Sequence, residues 1–147
     1  MYKILLVADT HSVTDELASA LGSINYEFIM VDNGRNTRDA VKTHLPDLVI
    51  VDMQVGSMGG MAICLDLRLE ESGGMLPSSK VLMIVDRRAD IFLARRSSAD
   101  GYLIKPLDPI RIRKAVVEIL SNQKFEDPSF APTETTPPVL LKNRENA

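Results

Sequence analysis

Short, wholly apolar runs alternate along the chain with longer segments whose apolar residues recur every three or four positions. The short runs are rich in β-branched residues and predict strands buried on both faces, whereas the longer segments predict helices with one buried face. The predicted strands are residues 3–7, 27–31, 48–52, 81–85 and 101–104. Five alternations of strand and helix predict an α/β fold, with a parallel sheet between two layers of helices.

The fifth predicted helix has the clearest apolar stripe. It begins near Pro109, because proline is favoured at the start of a helix. Its apolar positions are Ile112, Ala115, Val116, Ile119 and Leu120. The first helix has a similar stripe that extends to Ile24, with Gly22 marking its end. The third and fourth helices are predicted over residues 61–71 and 89–97.

The alternation of predicted strands and helices stops after Ser121, and the amino-acid composition changes at the same point. Residues 122–147 hold four of the eight prolines of the chain, together with several Thr, Glu and Asn residues. Such a composition cannot bury enough apolar surface to fold and is typical of disordered segments. The sequence therefore predicts one domain over residues 1–121 and a disordered, proline-rich tail over residues 122–147.

Composition narrows the class of protein. The chain has 147 residues, of which 45% are hydrophobic, and its apolar runs are far shorter than the roughly 20 residues that span a bilayer. Asp9 and His11 interrupt the apolar start of the chain, so no signal peptide is expected. The single cysteine, Cys64, excludes a disulfide framework and a cysteine-rich zinc site. These features predict a cytoplasmic protein.

Charge is unevenly distributed. The net charge is −3, yet residues 80–114 contain nine basic and four acidic residues, a local charge of +5. Such a stretch is typical either of a binding face for an acidic partner or of two well-solvated helices. Because the chain as a whole is acidic and the stretch has few aromatics that could stack on bases, we do not expect direct DNA binding.

Two acids and a lysine each follow a predicted strand. Asp9 follows the first strand, Asp52 closes the third, and Lys105 follows the fifth. The carboxyl ends of parallel strands meet at one edge of a sheet, which is where open α/β folds build their sites. Two carboxylates and an ammonium at one edge would suit a divalent cation and a phosphoryl group.

Several motifs in this arrangement resemble the response-regulator receiver family. Asp52, with Gly56 and Gly60 four and eight residues later, resembles the phosphoacceptor strand and loop of the family. The block over residues 99–106, Ala-Asp-Gly-Tyr-Leu-Ile-Lys-Pro, is a close match to its fifth strand. The resemblance covers roughly residues 2–121. It implies a flavodoxin-like (βα)5 three-layer sandwich with its parallel strands in the order 2-1-3-4-5.

The resemblance also implies a function. Asp52 would accept a phosphoryl group from a phosphohistidine on a histidine kinase or phosphotransfer protein. Asp9, Asp52 and the backbone carbonyl of Gln54 would hold Mg²⁺, which prefers oxygen ligands and retains several waters. Lys105 would contact the phosphoryl oxygens, and its peptide bond to Pro106 would be cis.

The output of such a regulator would pass through protein contacts. In this family a ring near the fifth strand reports the state of the site, and Tyr102 occupies that position. A downstream protein would dock on the face made by helix 4, strand 5 and helix 5, and a homodimer could form there. The chain is thus expected to act as a single-domain response regulator.

Two positions depart from the family pattern. Ala8 replaces the first of two adjacent acids after strand 1, which should weaken Mg²⁺ binding. Asp86 replaces the Ser or Thr that ends strand 4, and an ionised carboxylate cannot donate a hydrogen bond to a phosphoryl group. Asp86 would either act as a relocated cation ligand or pair with Lys105. The second case would give a phosphorylation-independent pseudo-receiver that acts as a protein-interaction module.

An independent enzyme is not expected. Phosphatases of the haloacid-dehalogenase kind place a second Asp two residues after the nucleophile, and Gln54 occupies that position here. The glycines at positions 56, 59 and 60 match neither a Walker phosphate loop nor a dinucleotide fingerprint. The two histidines, His11 and His44, are too scattered to form a metal site.

Overall fold

The computed structural model describes residues 1–128. Its five strands are β1 (Tyr2–Val7), β2 (Tyr26–Val31), β3 (Leu48–Asp52), β4 (Lys80–Val85) and β5 (Gly101–Ile104). Its five α-helices are α1 (His11–Leu21), α2 (Thr37–His44), α3 (Gly60–Ser72), α4 (Ile91–Arg96) and α5 (Pro109–Leu120). All strand pairings are parallel, in the order β2-β1-β3-β4-β5. The predicted α/β class and strand order are confirmed.

The sheet is covered on both faces, which explains why its central strands are wholly apolar. Every residue of β3 is buried, and five of the six residues of β4 are buried. Along β1, Leu5 and Val7 pack toward α2, α3 and α4, whereas Ile4 and Leu6 pack toward α1 and α5. Successive side chains of a strand point to opposite faces, so one short apolar run fills both halves of the core.

The helices begin and end close to their predicted positions, with two differences. Helix α1 ends at Leu21, and Gly22 takes a positive φ of 75°, so Ile24 lies beyond the helix and is 87% exposed. Instead of one fourth helix over residues 89–97, a 3₁₀ turn (Arg88–Asp90) leads into the six-residue α4. The α1 prediction was too long because its apolar spacing continued past Gly22, where the backbone turns.

Helix α5 is capped as its sequence suggests. Asp108 has extended backbone angles and its Oδ1 accepts a hydrogen bond from the amide of Arg111 at 2.9 Å. Pro109 occupies the first turn, where its lack of an N–H costs nothing. The stripe of α5 faces the sheet, with Ile112, Val116 and Ile119 almost fully buried.

The folded domain continues past the boundary predicted at Ser121. The chain turns at Asn122, with φ of 66°, and residues 122–128, here called the returning segment, run back along β5. Phe125 pairs with Gly101 in a parallel bridge and is 3% exposed, and Asp127 is also 3% exposed. A buried aromatic ring and a buried carboxylate place this segment in the folded domain. The remainder of the predicted tail, residues 129–147, lies outside the described residues.

None of the helices in residues 1–128 combines the length and the hydropathy that a membrane span requires.

Candidate functional site

The site lies at the carboxyl edge of the sheet and is centred on Asp52, the last residue of β3. Its carboxyl group is 3% exposed, and its Oδ1 accepts a hydrogen bond from the amide of Gln54 at 3.1 Å. That bond bends the chain out of the strand into the loop before α3. A buried carboxylate is costly unless it is paired, so the partners of Asp52 decide the chemistry of the site.

Lys105 is the ionic partner of Asp52. It follows β5, and its Nζ lies 3.3 Å from both Asp52 Oδ1 and Asp52 Oδ2. Because β4 lies between β3 and β5, the lysine side chain reaches across the end of β4 to make this contact. The peptide bond between Lys105 and Pro106 is cis, as predicted.

Asp86 follows β4 and lies on this path. Lys105 Nζ is 2.8 Å from Asp86 Oδ1, closer than it is to Asp52. The Asp86 side chain is 32% exposed, and that of Asp52 is 3% exposed. The ammonium is therefore shared between an inner and an outer carboxylate. Of the two roles considered for Asp86, this contact favours pairing with the lysine.

The two carboxylates also affect the protonation of the lysine. Burial lowers the pKa of the Lys105 ammonium, but the contact with Asp86 and the charge of Asp52 outweigh it, and the net pKa is raised. The ammonium is consequently fully charged at neutral pH. A fixed positive charge at this position can stabilise negative charge that develops on a phosphoryl group.

Asp9 is held at the same edge of the sheet. It follows β1, the neighbour of β3, and its exposed carboxylate accepts a hydrogen bond from the amide of Gly56 at 2.8 Å through Oδ2. A Cβ on Gly56 would lie 2.9 Å from the same oxygen, so glycine allows this close approach. Ala8, where the family pattern has an acid, is buried in the core on the α1 and α5 side.

The donor set at this edge is made of oxygen atoms. Among residues 1–128, no group of three or more His, Cys, Asp and Glu side chains is arranged to hold a metal ion. Asp9 and Asp52 provide two carboxylates, and the backbone carbonyl of Gln54 is a third oxygen in the loop after Asp52. Oxygen atoms of these kinds are the ligands that Mg²⁺ prefers, usually one or two carboxylates together with several waters.

Tyr102 lies on the opposite side of β5 from the α5 helix. Its ring is buried and packs with the core on the α2, α3 and α4 side. The Arg95 guanidinium lies 5.9 Å from the ring centroid, and Arg95 NH2 contacts Glu126 of the returning segment at 2.9 Å. The role of Tyr102 as a switch ring stays a prediction, with the ring inward in this structure.

The basic residues near α4 have different surroundings. Arg87 pairs with the buried Asp90 at 3.2 Å, and Arg96 lies 5.6 Å from the ring of Phe92. Phe92 is 52% exposed. This helix therefore presents positive charge together with exposed apolar surface.

Three residues that pack around β5 were not identified from the sequence: Arg111, Phe125 and Asp127. Arg111 was counted only as one charge in a basic stretch, and the other two were assigned to the tail. Their contacts join the end of β5 to α5 and to the returning segment. The sequence shows an aromatic residue, Phe125, five positions after the end of α5, but its burial comes from contacts with β5 that a local pattern does not reveal.

Comparison with known proteins agrees with this architecture. The family model described as "Response regulator receiver domain" matches residues 4–117. The transcriptional regulatory protein PhoP of alkaline phosphatase synthesis, from Bacillus subtilis, is 30% identical over 129 residues, which is 86% of this chain and 52% of that protein. The chain spans about half the length of the curated relatives that it matches.

Solved structures show the same fold. The receiver domain of NarL from Mycobacterium tuberculosis is 25% identical and superposes with a TM-score of 0.73, covering 83% of this chain and 98% of that one. The chemotaxis response regulator CheY4 of Vibrio cholerae is 21% identical with a TM-score of 0.71, covering 81% and 98%. Receiver domains are generally signalling switches that bind Mg²⁺ and receive their signal from histidine kinases. The chain belongs to the response regulator receiver domain family of two-component systems.

Proposed function

We propose that the chain is a phosphorylation switch whose phosphoacceptor is Asp52. The observation that carries this proposal is the contact of Lys105 Nζ with both carboxylate oxygens of Asp52 at 3.3 Å, at the carboxyl edge of the sheet. The partner that delivers the signal is a histidine kinase or a phosphotransfer protein. One Asp52 oxygen forms a bond to phosphorus, the bond from phosphorus to the donor imidazole breaks, and its electron pair remains on the imidazole nitrogen.

The surrounding residues prepare this step. The amide of Gln54 fixes the orientation of the Asp52 carboxylate through Oδ1. Lys105 supplies a positive charge beside the oxygens that receive negative charge, which stabilises the transition state. Asp9, Asp52 and the Gln54 carbonyl would hold Mg²⁺, which when bound neutralises the repulsion between the carboxylate and the phosphoryl group.

A second candidate is favoured by a specific observation. Lys105 is closer to Asp86 than to Asp52, at 2.8 Å, and a carboxylate on this side of the ammonium repels a phosphoryl group. If this pair persists, the domain is a phosphorylation-independent pseudo-receiver that acts as a protein-interaction module.

The output is proposed to pass through α4, β5 and α5. This face carries Arg95 and Arg96 beside the half-exposed Phe92, and Ile110 of α5 is 71% exposed. Mixed apolar and positive surface suits a downstream protein with acidic side chains, or a second copy of the chain in a homodimer. Direct DNA contact is not part of this proposal, and we propose a cytoplasmic location for the regulator.

Intact-mass spectrometry tests the two candidates. The protein is incubated with Mg²⁺ and acetyl phosphate, and Asp52→Asn is the matched control. A phosphoryl adduct that is lost in alkali and does not form on Asp52→Asn supports the switch. No adduct on either protein, together with identical partner binding by both, supports the pseudo-receiver and overturns the phosphoacceptor role.

A further inference from the structure

The carboxylate of Asp127 is fully buried but lies outside the site described above. Its side chain is 0% exposed, and its Oδ2 accepts a hydrogen bond from the amide of Ile104 at 2.8 Å. The same oxygen forms an ion pair with Arg111 of α5. Burying a charge in this way is costly unless the charge is paired and hydrogen-bonded.

Ile104 immediately precedes Lys105. It is the last residue of β5, an edge strand, and the amide that Asp127 binds would otherwise face away from the sheet without a strand to accept it. Asp127 therefore takes the place of a neighbouring strand at the point where β5 ends. The backbone on the amino side of Lys105 is fixed by this bond.

Arg111 fixes the backbone around the same lysine. Its Nη1 donates to the carbonyl of Ile104 at 3.3 Å, and its Nη2 donates to the carbonyl of Pro106. One guanidinium thus binds the carbonyl groups on both sides of Lys105. Its Nε donates to the carboxylate of Asp108, and its Nη1 donates to the carboxylate of Asp127. The planar, multidentate geometry of arginine is suited to such a clamp.

The inner side of this stretch is attached to the sheet. The amide of Lys105 donates to the carbonyl of Val85 at 2.9 Å. The backbone from Ile104 to Pro106 is consequently held by β4 on one side and by Arg111 and Asp127 on the other. A lysine side chain is long and flexible, so the position of its ammonium depends on how firmly its backbone is placed.

We propose that Asp127 is a positioning residue for Lys105, acting through Arg111 and the backbone of Ile104. The inference rests on the proposed function for its kinetic consequence. Its structural part concerns Lys105 in the unphosphorylated protein and can be measured separately.

The experiment compares three variants of the full chain. Asp127→Ala removes the contacts of the carboxylate with the Ile104 amide and with Arg111. Asp127→Asn keeps an acceptor for the Ile104 amide but loses the charge opposite Arg111. Glu126→Gln is the matched control, because the neighbouring Glu126 side chain is 61% exposed and contacts Arg95 instead. All proteins are assayed at a temperature where circular dichroism shows each to be folded.

Two readouts are used. The first is the maximal rate of phosphorylation by acetyl phosphate, together with the donor concentration at half-maximal rate. We expect the maximal rate to fall about tenfold or more in Asp127→Ala, since small misplacements of a catalytic group are costly, with the half-maximal concentration unchanged. Asp127→Asn should be intermediate, and Glu126→Gln should equal wild type.

The second readout does not require phosphorylation. The methylene resonance of Lys105 Cε, assigned with Lys105→Met, should shift in Asp127→Ala, shift less in Asp127→Asn and stay in place in Glu126→Gln. If wild type accepts no phosphoryl group, the proposed function fails, and this resonance alone decides the inference. An unchanged resonance, or an unchanged maximal rate in a wild type that is phosphorylated, overturns it. If Asp127→Ala does not fold, Asp127→Asn supplies both comparisons.

Discussion

At the scale of single residues, the site is governed by one ammonium between two carboxylates. Sequence reasoning identified Asp52 and Lys105 and recognised that Asp86 replaces a hydroxyl residue, but it left the role of Asp86 open. The structure pairs Asp86 with Lys105 on the solvent side. A phosphoryl group on Asp52 would have to compete with this carboxylate for the same ammonium, so Asp86 is expected to slow phosphorylation.

Replacing Asp86 tests that expectation. Asp86→Thr removes the competing charge and adds a hydroxyl donor, so we expect phosphorylation by acetyl phosphate with Mg²⁺ to be about tenfold faster, since one hydrogen-bond donor to developing charge contributes at least this much. Asp86→Asn, which removes the charge without a hydroxyl, should give a smaller gain. A rate for Asp86→Thr at or below that of wild type would contradict the competing role of Asp86.

The Lys105 ammonium is expected to make the free energy of unfolding depend on pH in the alkaline range. The pKa of this ammonium is raised in the folded protein above its ordinary value of 10.5, so its stabilising contribution is complete below that pH. The contribution is lost as the pH rises through the folded pKa, because the ammonium deprotonates. In urea unfolding, the difference between wild type and Lys105→Met should be constant from neutral pH to about 10 and then shrink. A difference that persists at higher pH would refute the assignment.

At the scale of elements, the five strands were predictable from the sequence, whereas the end of α1 and the returning segment were not. The five strands were predicted to within a residue because an apolar β-branched run such as Leu48–Asp52 has no other stable placement in a small domain. Ile24 was misplaced because its spacing continued the α1 stripe beyond Gly22. The returning segment was missed because Phe125 and Asp127 are stabilised by contacts with β5 and α5, which no local pattern reveals.

The contact between β5 and the returning segment makes Gly101 sensitive to substitution. A Cβ at Gly101 would lie 2.7 Å from the carbonyl oxygen of Phe125 and 2.9 Å from Ile119 Cδ1. Gly101→Ala should therefore lower the free energy of unfolding by about 2 kcal/mol, as overpacking in a core does. It should also speed hydrogen exchange at the Tyr102 amide, which donates to Phe125.

Gly73→Ala is the matched control. Gly73 follows α3 with φ of −83°, and a Cβ there would lie 3.7 Å from the carbonyl oxygen of Leu69, an ordinary van der Waals contact. Its urea midpoint should stay near that of wild type. Equal urea midpoints for the Gly101 and Gly73 variants would contradict this prediction. They would mean that the returning segment can move away from the added Cβ with no loss of stability.

At the scale of the whole molecule, function and stability are placed at opposite ends of the sheet. Asp52 and Lys105 are at the carboxyl ends of their strands, whereas Arg68 of α3 ties together the connections that lead into β4 and β5. It donates to the carbonyls of Ser79 and Ser98 at 2.7 and 3.0 Å and pairs with Asp100 at 2.9 Å. This network joins three elements without contacting the phosphoryl site.

Arg68→Met should accordingly destabilise the fold without changing the chemistry. We expect a loss of about 2 kcal/mol in urea unfolding, typical of hydrogen bonds to a charged group, with the phosphorylation rate unchanged while the protein is folded. Arg38→Met is the comparison, because Arg38 pairs with Asp66 on a more exposed surface, with 45% of its side chain accessible. Its effect on stability should be smaller. A phosphorylation rate that falls with Arg68→Met would mean that the two ends are coupled.

Cys64 offers a way to follow the opening of this molecule. It is the single thiol of the sequence, it is 0% exposed, and its Sγ contacts the carbonyl of Ser97 at 3.1 Å, between α3 and the end of α4. Burial raises the pKa of the thiol, so the reactive thiolate is suppressed in the closed protein. A thiol-specific reagent will consequently label Cys64 only when α3 and α4 separate. The labelling rate therefore measures how often this separation occurs.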